Sequence, residues 1–312
     1  MVDQDRERTT GFQGSEAIQA AEAVGEDYGR VKGRTQREIV WRRFKRHRLA
    51  MISGLVLVLL YAAALATPWI APYGYADIDY TSLDQGPSLK HPMGTDELGR
   101  DELTRVIYGG RVSLLLGLGV GVFSTLIGAV VGIVSGYYGK FIDSSAMGLT
   151  DFMLTLPFLP ILLVLGSIFN FTAVTITFAL VLLLWMTIAR LVRGQVLSVR
   201  NQEYVQAAKA VGVGDFMIMF RHIFPNVVGV MLVQATLVTA EAILIESALS
   251  FLGLGIQPPT PSWGNLLEDA RTTMTTQWWL TWFPGMMIVI TVLCVNFLGD
   301  GLRDALDPKA VE

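Results

Sequence analysis

Two carboxylates sit inside an apolar run from about Val227 to Leu254, and of all the side chains here they have the clearest capacity for chemistry. A charged side chain in hydrocarbon costs about 2.5–3.5 kcal/mol on insertion scales, so Glu241 and Glu246 must each face protein or water. Five positions apart on a helix they point about 140° away from one another and cannot act as a carboxylate pair. Glu241 lies deeper and is a candidate to line a path across the membrane. Glu246 lies nearer the end of the run, where a structural hydrogen bond is the plainer account. Pro157 and Pro160 interrupt another apolar run, about Met147 to Phe169, and free backbone carbonyls that neighbouring helices or a water-filled cavity must satisfy. Broken helices often border a substrate path, although a plain kink has the same signature.

Other constellations that would do chemistry are missing. There is no Walker lysine motif, no His-Glu-x-x-His, no Gly-x-Ser-x-Gly, and the three histidines, His47, His91 and His222, are far apart in sequence. The single cysteine, Cys294, lies in an apolar run, so neither a disulfide framework nor a metal-ligand cluster is expected. The glycines of the run ending at Gly121 have neither the lysine nor the strand context of a nucleotide loop. With Gly117 and Gly119, and then Gly128, Gly132 and Gly136, they leave a stripe without side chains where other helices can approach. Nothing here would hydrolyse a nucleotide, so any ATPase must be a separate chain.

The elements that position these groups follow from composition. At 52% hydrophobic and 16% charged residues over 312 positions, with mean hydropathy +0.48, the chain is too apolar for a soluble domain. The net charge of −3 sums acidic and basic segments and gives no nucleic-acid reading. Residues 1–35 are polar and mixed in charge, as a disordered arm would be. Basic residues from Arg34 to Arg48 precede a first apolar run, Leu49 to about Ala71, long enough to span hydrocarbon and flanked as a cytoplasmic N-terminus would be. It exceeds a signal peptide's apolar region, so it reads as an anchored helix following an interfacial one over 36–71. Residues 72–110 are acidic and rich in turn formers, which fits the outer side. Further spans are expected at about Val112–Tyr137, Met147–Phe169, up to Arg190, Val227–Leu254 and Trp282–Leu302, giving a core over 111–305 and a tail over 306–312. Trp263, Trp278, Trp279 and Trp282 suit an interfacial belt. Arg190, Arg193, Arg200, Lys209 and Arg221 put residues 194–226 on the cytoplasmic side, in agreement with the N-terminal signal and with a cytoplasmic C-terminus.

Between the fourth and fifth runs, 200–226 reads as a helix, a break and a short second helix. Val205, Ala208 and Val211 share one face. Gly212 and Gly214 permit a chain reversal and Pro225 closes the unit. Ala207 and Ala208 keep the first helix thin, so a groove on another protein can reach its backbone, although an ordinary interhelical loop has the same features. Ala207, Ala208, Gly212 and Pro225 also resemble, at matching spacing, the coupling motif of ABC-importer permeases: Glu-Ala-Ala, three residues, Gly, nine residues, Ile-x-Leu-Pro. Gln206 replaces the usual Glu, His222 the Ile and Phe224 the Leu. The segment Gly94, Thr95, Asp96, Gly99, Arg100 and Asp101 is similar to the Gly-Thr-Asp-x-x-Gly-Arg-Asp run of C-type permease subunits in dipeptide, oligopeptide and nickel importers. Ser247 to Gly264 and Asp300 to Pro308 resemble the same family.

That resemblance implies an all-α protein with six transmembrane helices and the type I importer permease fold, resembling the methionine permease. It implies a non-catalytic subunit that forms half of a pathway for di- or oligopeptides, with nickel or another small solute as an alternative. The expected partners are a second homologous permease, two ABC ATPases carrying ATP and Mg, and an extracytoplasmic binding protein, in a bacterial or archaeal cytoplasmic membrane. The coupling element would comprise Gln206, Ala207, Ala208, Gly212, Gly214, Asp215, Arg221, His222 and Pro225. An ion-coupled secondary transporter relying on Glu241 or Glu246 is the rival class.

Overall fold

A computed structural model of the chain describes residues 36–169 and 171–306. The expected arm over 1–35 and the tail beyond Leu306 lie outside the described residues. The basic segment forms helix α1 (Gln36–Arg46). His47 then caps α2 (Arg48–Leu65), its Nδ1 accepting the Ala50 amide at 3.1 Å. This first span is shorter than its apolar run. Thr67 turns its hydroxyl back to the Ala64 carbonyl at 2.8 Å, and a short α3 (Thr67–Ile70) with proline in its first turn follows.

The second span, α4 (Glu102–Tyr138), is 37 residues long and begins ten positions before the expected Val112. Asp101 caps it by accepting the Thr104 amide at 2.8 Å. Arg105 near its start is held by Asp96 and Asp269, and hydropathy alone places the start too late. The third run is a break rather than a kink. Helices α5 (Lys140–Thr155) and α6 (Phe158–Ile168) meet at 77°, with Pro157 extended between them and Pro160 in the first turn of α6. Helix α7 (Ala173–Val199) starts at a Thr172–Thr175 capping box. The elbow helix α8 (Glu203–Ala210) follows.

Pro225 does not close the elbow. A continuous helix runs from α9 (Asp215–Ile218) through one π-turn (Met219–Ile223) into α10 (Phe224–Phe251), with Pro225 in the first turn of α10. The wider turn relieves the clash a proline ring makes with the preceding turn, so the helix continues. A cap at Ser262 opens α11 (Trp263–Asp269), and α12 (Trp278–Leu306) carries Pro284 inside and ends the described chain. Among the described residues five helices are long and apolar enough to cross a membrane, and the bent α5–α6 pair brings the number to six where it is counted as one broken span. No extended strand occurs among the described residues.

The core lies between α4, α7 and α10, where Leu116, Val120, Ile176, Leu180, Ile188, Val192 and Ala242 are buried. The glycine stripe makes this packing possible, and it serves two partners. A Cβ on Gly117 would fall 2.5 Å from Ile243 of α10. One on Gly128 or Gly132 would fall 2.6 Å from the carbonyl of Trp185 or Ala189 in α7.

Candidate functional site

The elbow is tied to the bundle by polar contacts and a few buried apolar side chains, and leaves several of its large apolar side chains outside. Gly212 has φ +84°, a conformation any Cβ would strain, and it reverses the chain between α8 and α9. Gly214 adopts an ordinary extended conformation at the start of α9, so the reversal rests on Gly212 alone. Gln206 donates its side-chain amide to the Arg200 carbonyl at 2.9 Å, so the residue in the usual Glu position closes the end of α7 with a neutral hydrogen bond. Asp215 accepts the Tyr137 hydroxyl at 2.6 Å, and Arg200 donates to the Gly136 carbonyl at 2.8 Å, so both fasten the elbow region to the end of α4. Asn226 donates to the His222 carbonyl at 2.6 Å, and the His222 ring lies 6.1 Å from that of Tyr204.

Only Val205, Ile218 and Ile223 of the elbow are buried. Ala207, Arg221 and Pro225 are exposed, and Ala208 is half-buried. Val211 is 85% exposed, Phe216 76% and Phe220 63%. Phe216, Phe220 and Phe224 stack along one helix face, with successive ring centroids 6.2 and 5.9 Å apart. This ladder was readable as an i, i+4, i+8 spacing of one residue type, but the sequence reading passed over it in favour of the small residues. It also passed over the partners of Arg190 and Arg193. These do more than reach for the interface: Arg193 grips Asp143 of α5 with two bonds of 2.5 and 2.6 Å, and Arg190 reaches Asp151 at 2.6 Å. Helix α5 is therefore held to α7 just before the elbow.

At the other end of α4, the run from Gly94 to Asp101 folds into a clamp. Gly94 and Gly99 both take positive φ. Thr95, Asp96 and Asp101 are buried. The Thr95 hydroxyl accepts the Gln85 amide at 2.9 Å and donates to the Ser82 carbonyl at 2.5 Å. Asp96 accepts from the Arg100 Nε and from Arg105 Nη1, each at 2.7 Å, and Arg105 Nη2 reaches Asp269 at 2.7 Å. Asp101 also binds the buried His91 ring at 2.9 Å. Its polar atoms are largely used internally, so the run fixes α4 against the loop that carries Asp269 and offers mainly Glu97 and Leu98 as exposed surface.

The two carboxylates of α10 have separate fates. Glu246 is fully buried, accepting from Ser113 of α4 at 3.1 Å and from Ser250 at 2.8 Å. Ser113 in turn accepts the Trp263 amide, and Ser250 the Ile256 amide. Glu246 is thus the centre of a junction joining α4, α10 and the 256–263 loop. Glu241 is exposed and has no hydrogen-bond or ion-pair partner among the described residues. It shares its face with exposed Leu237 and Leu244. Pro157 and Pro160 are exposed too, and at the break Thr155 satisfies the Phe152 carbonyl at 2.6 Å.

Comparison with known proteins settles what kind of chain carries this elbow. The family model described as "Binding-protein-dependent transport system inner membrane component" matches residues 128–312, and that described as "N-terminal TM domain of oligopeptide transport permease C" matches residues 35–92. The chain belongs to this permease family. Its relatives include the oligopeptide transport system permease protein OppC of Haemophilus influenzae, 40% identical over 89% of this chain and 90% of the relative. The dipeptide transport system permease protein DppC of Bacillus subtilis is 42% identical over 86% of this chain and 84% of its own. OppC of Mycobacterium tuberculosis H37Rv is 42% identical over 88% and 96%. The chain is therefore the membrane-spanning permease of a binding-protein-dependent ABC importer, with the all-helical fold of that family. Permeases of this family work with an ATPase and a substrate-binding protein.

Proposed function

We propose that this permease forms half of the translocation pathway of an ATP-driven importer of di- and oligopeptides. The relatives' names favour peptides over nickel as cargo. A second homologous permease completes the path, two ATPase chains bind ATP and Mg and supply the energy, and an extracytoplasmic binding protein delivers substrate. The termini and the elbow face the cytoplasm, and residues 72–101 face outward. The observation that carries this reading is the exposed ladder of Phe216 and Phe220 beside Val211, on a segment joined directly to a membrane-crossing helix. Stacked, unpartnered aromatic rings at an interhelical bend fit the pocket of another protein better than they fit water.

The continuous helix gives the elbow mechanical reach. Asp215 and Glu241 are 26 residues apart on α9–α10, about 39 Å at 1.5 Å per residue. A shift imposed at Phe216 is carried as a tilt of one rigid rod to the level of Glu241, while the Tyr137 and Arg193 contacts pass it to α4, α7 and α5. ATP binding draws the two ATPases together and with them the elbows, which opens the path between the permeases. Coupling requires the ATPases to bind the two permease states with different affinity. Glu241 and the α5–α6 break line the path, where the unpaired carboxylate meets water or the cationic amino end of a peptide. Glu246 instead holds the helices together. Purification of a tagged chain tests the reading. ATP-hydrolysing chains should come with it, and peptide uptake should cease when their nucleotide-binding lysine is replaced. Uptake that survives that replacement, and falls only with Glu241→Gln, would establish ion coupling in its place.

A further inference from the structure

Along the outer face of α4 and α7 runs an apolar groove of about 960 Å³, which neither the elbow nor the clamp uses. Its walls include Phe123, Phe178 and Trp185, and at one end stand Tyr75, Tyr108 and Arg111. The two tyrosine rings pack 5.1 Å apart. Arg111 is exposed and has no ion-pair or hydrogen-bond partner among the described residues, although the other arginines of α4 and α7, Arg105, Arg190 and Arg193, are paired. It stands where the polar first turns of α4 give way to a stretch without charged residues from Val112 to Tyr138. A guanidinium at that level reaches water with its head, and as the unpaired cation at the end of an apolar groove it also offers a charge-assisted site to an anionic group.

We infer that the groove binds a membrane phospholipid, with the lipid phosphate on Arg111 and an acyl chain lying against α4 and α7. The length of the groove, its apolar lining and the cation at its end favour this occupant. From Arg111 to Ile127 the groove follows α4 for about 24 Å, more than the ~15 Å depth of one leaflet. A transported peptide fits the chemistry poorly, because Phe123, Ile127, Phe178, Val181 and Leu182 offer no partners for its backbone. An acyl chain needs none. The tyrosine pair and the Thr260 hydroxyl sit at the headgroup end, as interfacial residues do.

The test uses the assembled importer in nanodiscs containing phosphatidylglycerol with a photoactivatable group on its acyl chain. After irradiation and digestion, adducts should concentrate on the peptides covering 115–127 and 174–185. Arg111→Gln should lower them about five-fold, the effect of one basic residue near a lipid surface, and Arg111→Lys should restore most of the labelling. Ala173→Trp, which narrows the groove without touching Arg111, should lower them too. Labelling spread evenly over the lipid-facing helices, or unchanged in Arg111→Gln, would overturn the inference. So would efficient cross-linking of a cysteine at Phe178 to the second permease, which would make the groove a protein interface.

Discussion

Replacing Gly132 with alanine adds one methyl group to a seam that has no room for it. The new Cβ would stand 2.6 Å from the Ala189 carbonyl and 2.8 Å from the Val192 Cβ, whereas ordinary contacts begin near 3.4 Å. Both neighbours belong to α7 and the nearer is backbone, so no side-chain rotation relieves the contact and the two helices must part by nearly an ångström. Overpacking of a well-filled core costs about 1–3 kcal/mol, and here the separation also loosens Ile188, Val192 and Val196. Gly119, on the same helix, is the control. A Cβ there meets only the Thr177 methyl, at 3.6 Å, so Gly119→Ala should be neutral or should stabilise by up to about 1 kcal/mol through helix propensity. Thermal unfolding of the purified importer, followed by fluorescence of a fused reporter, should place Gly132→Ala several degrees below the parent and Gly119→Ala at or above it. Equal midpoints for the two variants would refute the close-approach explanation of the stripe.

Asp96→Asn removes one charge from a pair in which both side chains are nearly fully buried; because Asp269 still holds Arg105, it should cost about 1.5–3 kcal/mol and reduce the amount of folded protein in the membrane. Gly212→Val forces a β-branched residue to φ +84° and should impair uptake and loosen ATPase coupling, whereas Gly214→Ala, with open space and ordinary dihedrals, should leave uptake unchanged in the same transport assay. Glu246→Leu leaves the Ser113 and Ser250 hydroxyls without their buried acceptor and should destabilise by about 1–3 kcal/mol in the same thermal assay, while transport by the surviving fraction keeps its substrate preference.

The spans, the glycine stripe and the outline of the elbow were legible because each is written in local pattern: apolar length, four-residue spacing, a glycine where the chain must reverse. The errors came where distant residues decide. Hydropathy puts the second span at about Val112, yet the helix begins at Glu102, where Arg105 finds Asp269, 164 positions away. The structural hydrogen bond expected of Glu246 is present, but its partner Ser113 lies 133 positions away and nothing near Glu246 in sequence announces that hydroxyl. Pro225 looked like a terminator because its ring forbids an ordinary helical turn, and a single wider turn at Met219–Ile223 is a tertiary solution that residue type does not reveal. The aromatic ladder is written locally, in an i, i+4, i+8 spacing of phenylalanines that lies outside the small-residue pattern beside it.

The docking role of that ladder is the point to test first. Fully burying a Phe side chain stabilises by about 1.5–3 kcal/mol, and Phe216 and Phe220 are 76% and 63% exposed. Scaled by those exposures, their burial against an ATPase contributes about 2–4 kcal/mol, or roughly 30- to 1,000-fold in affinity. The measurement is the dissociation constant between nanodisc-held permeases and purified ATPase chains, with Phe216→Ser and Phe220→Ser combined. A loss within that range, at an unchanged thermal midpoint of the permease, is the expected result; unaltered affinity would mean that the ATPases do not grip the elbow.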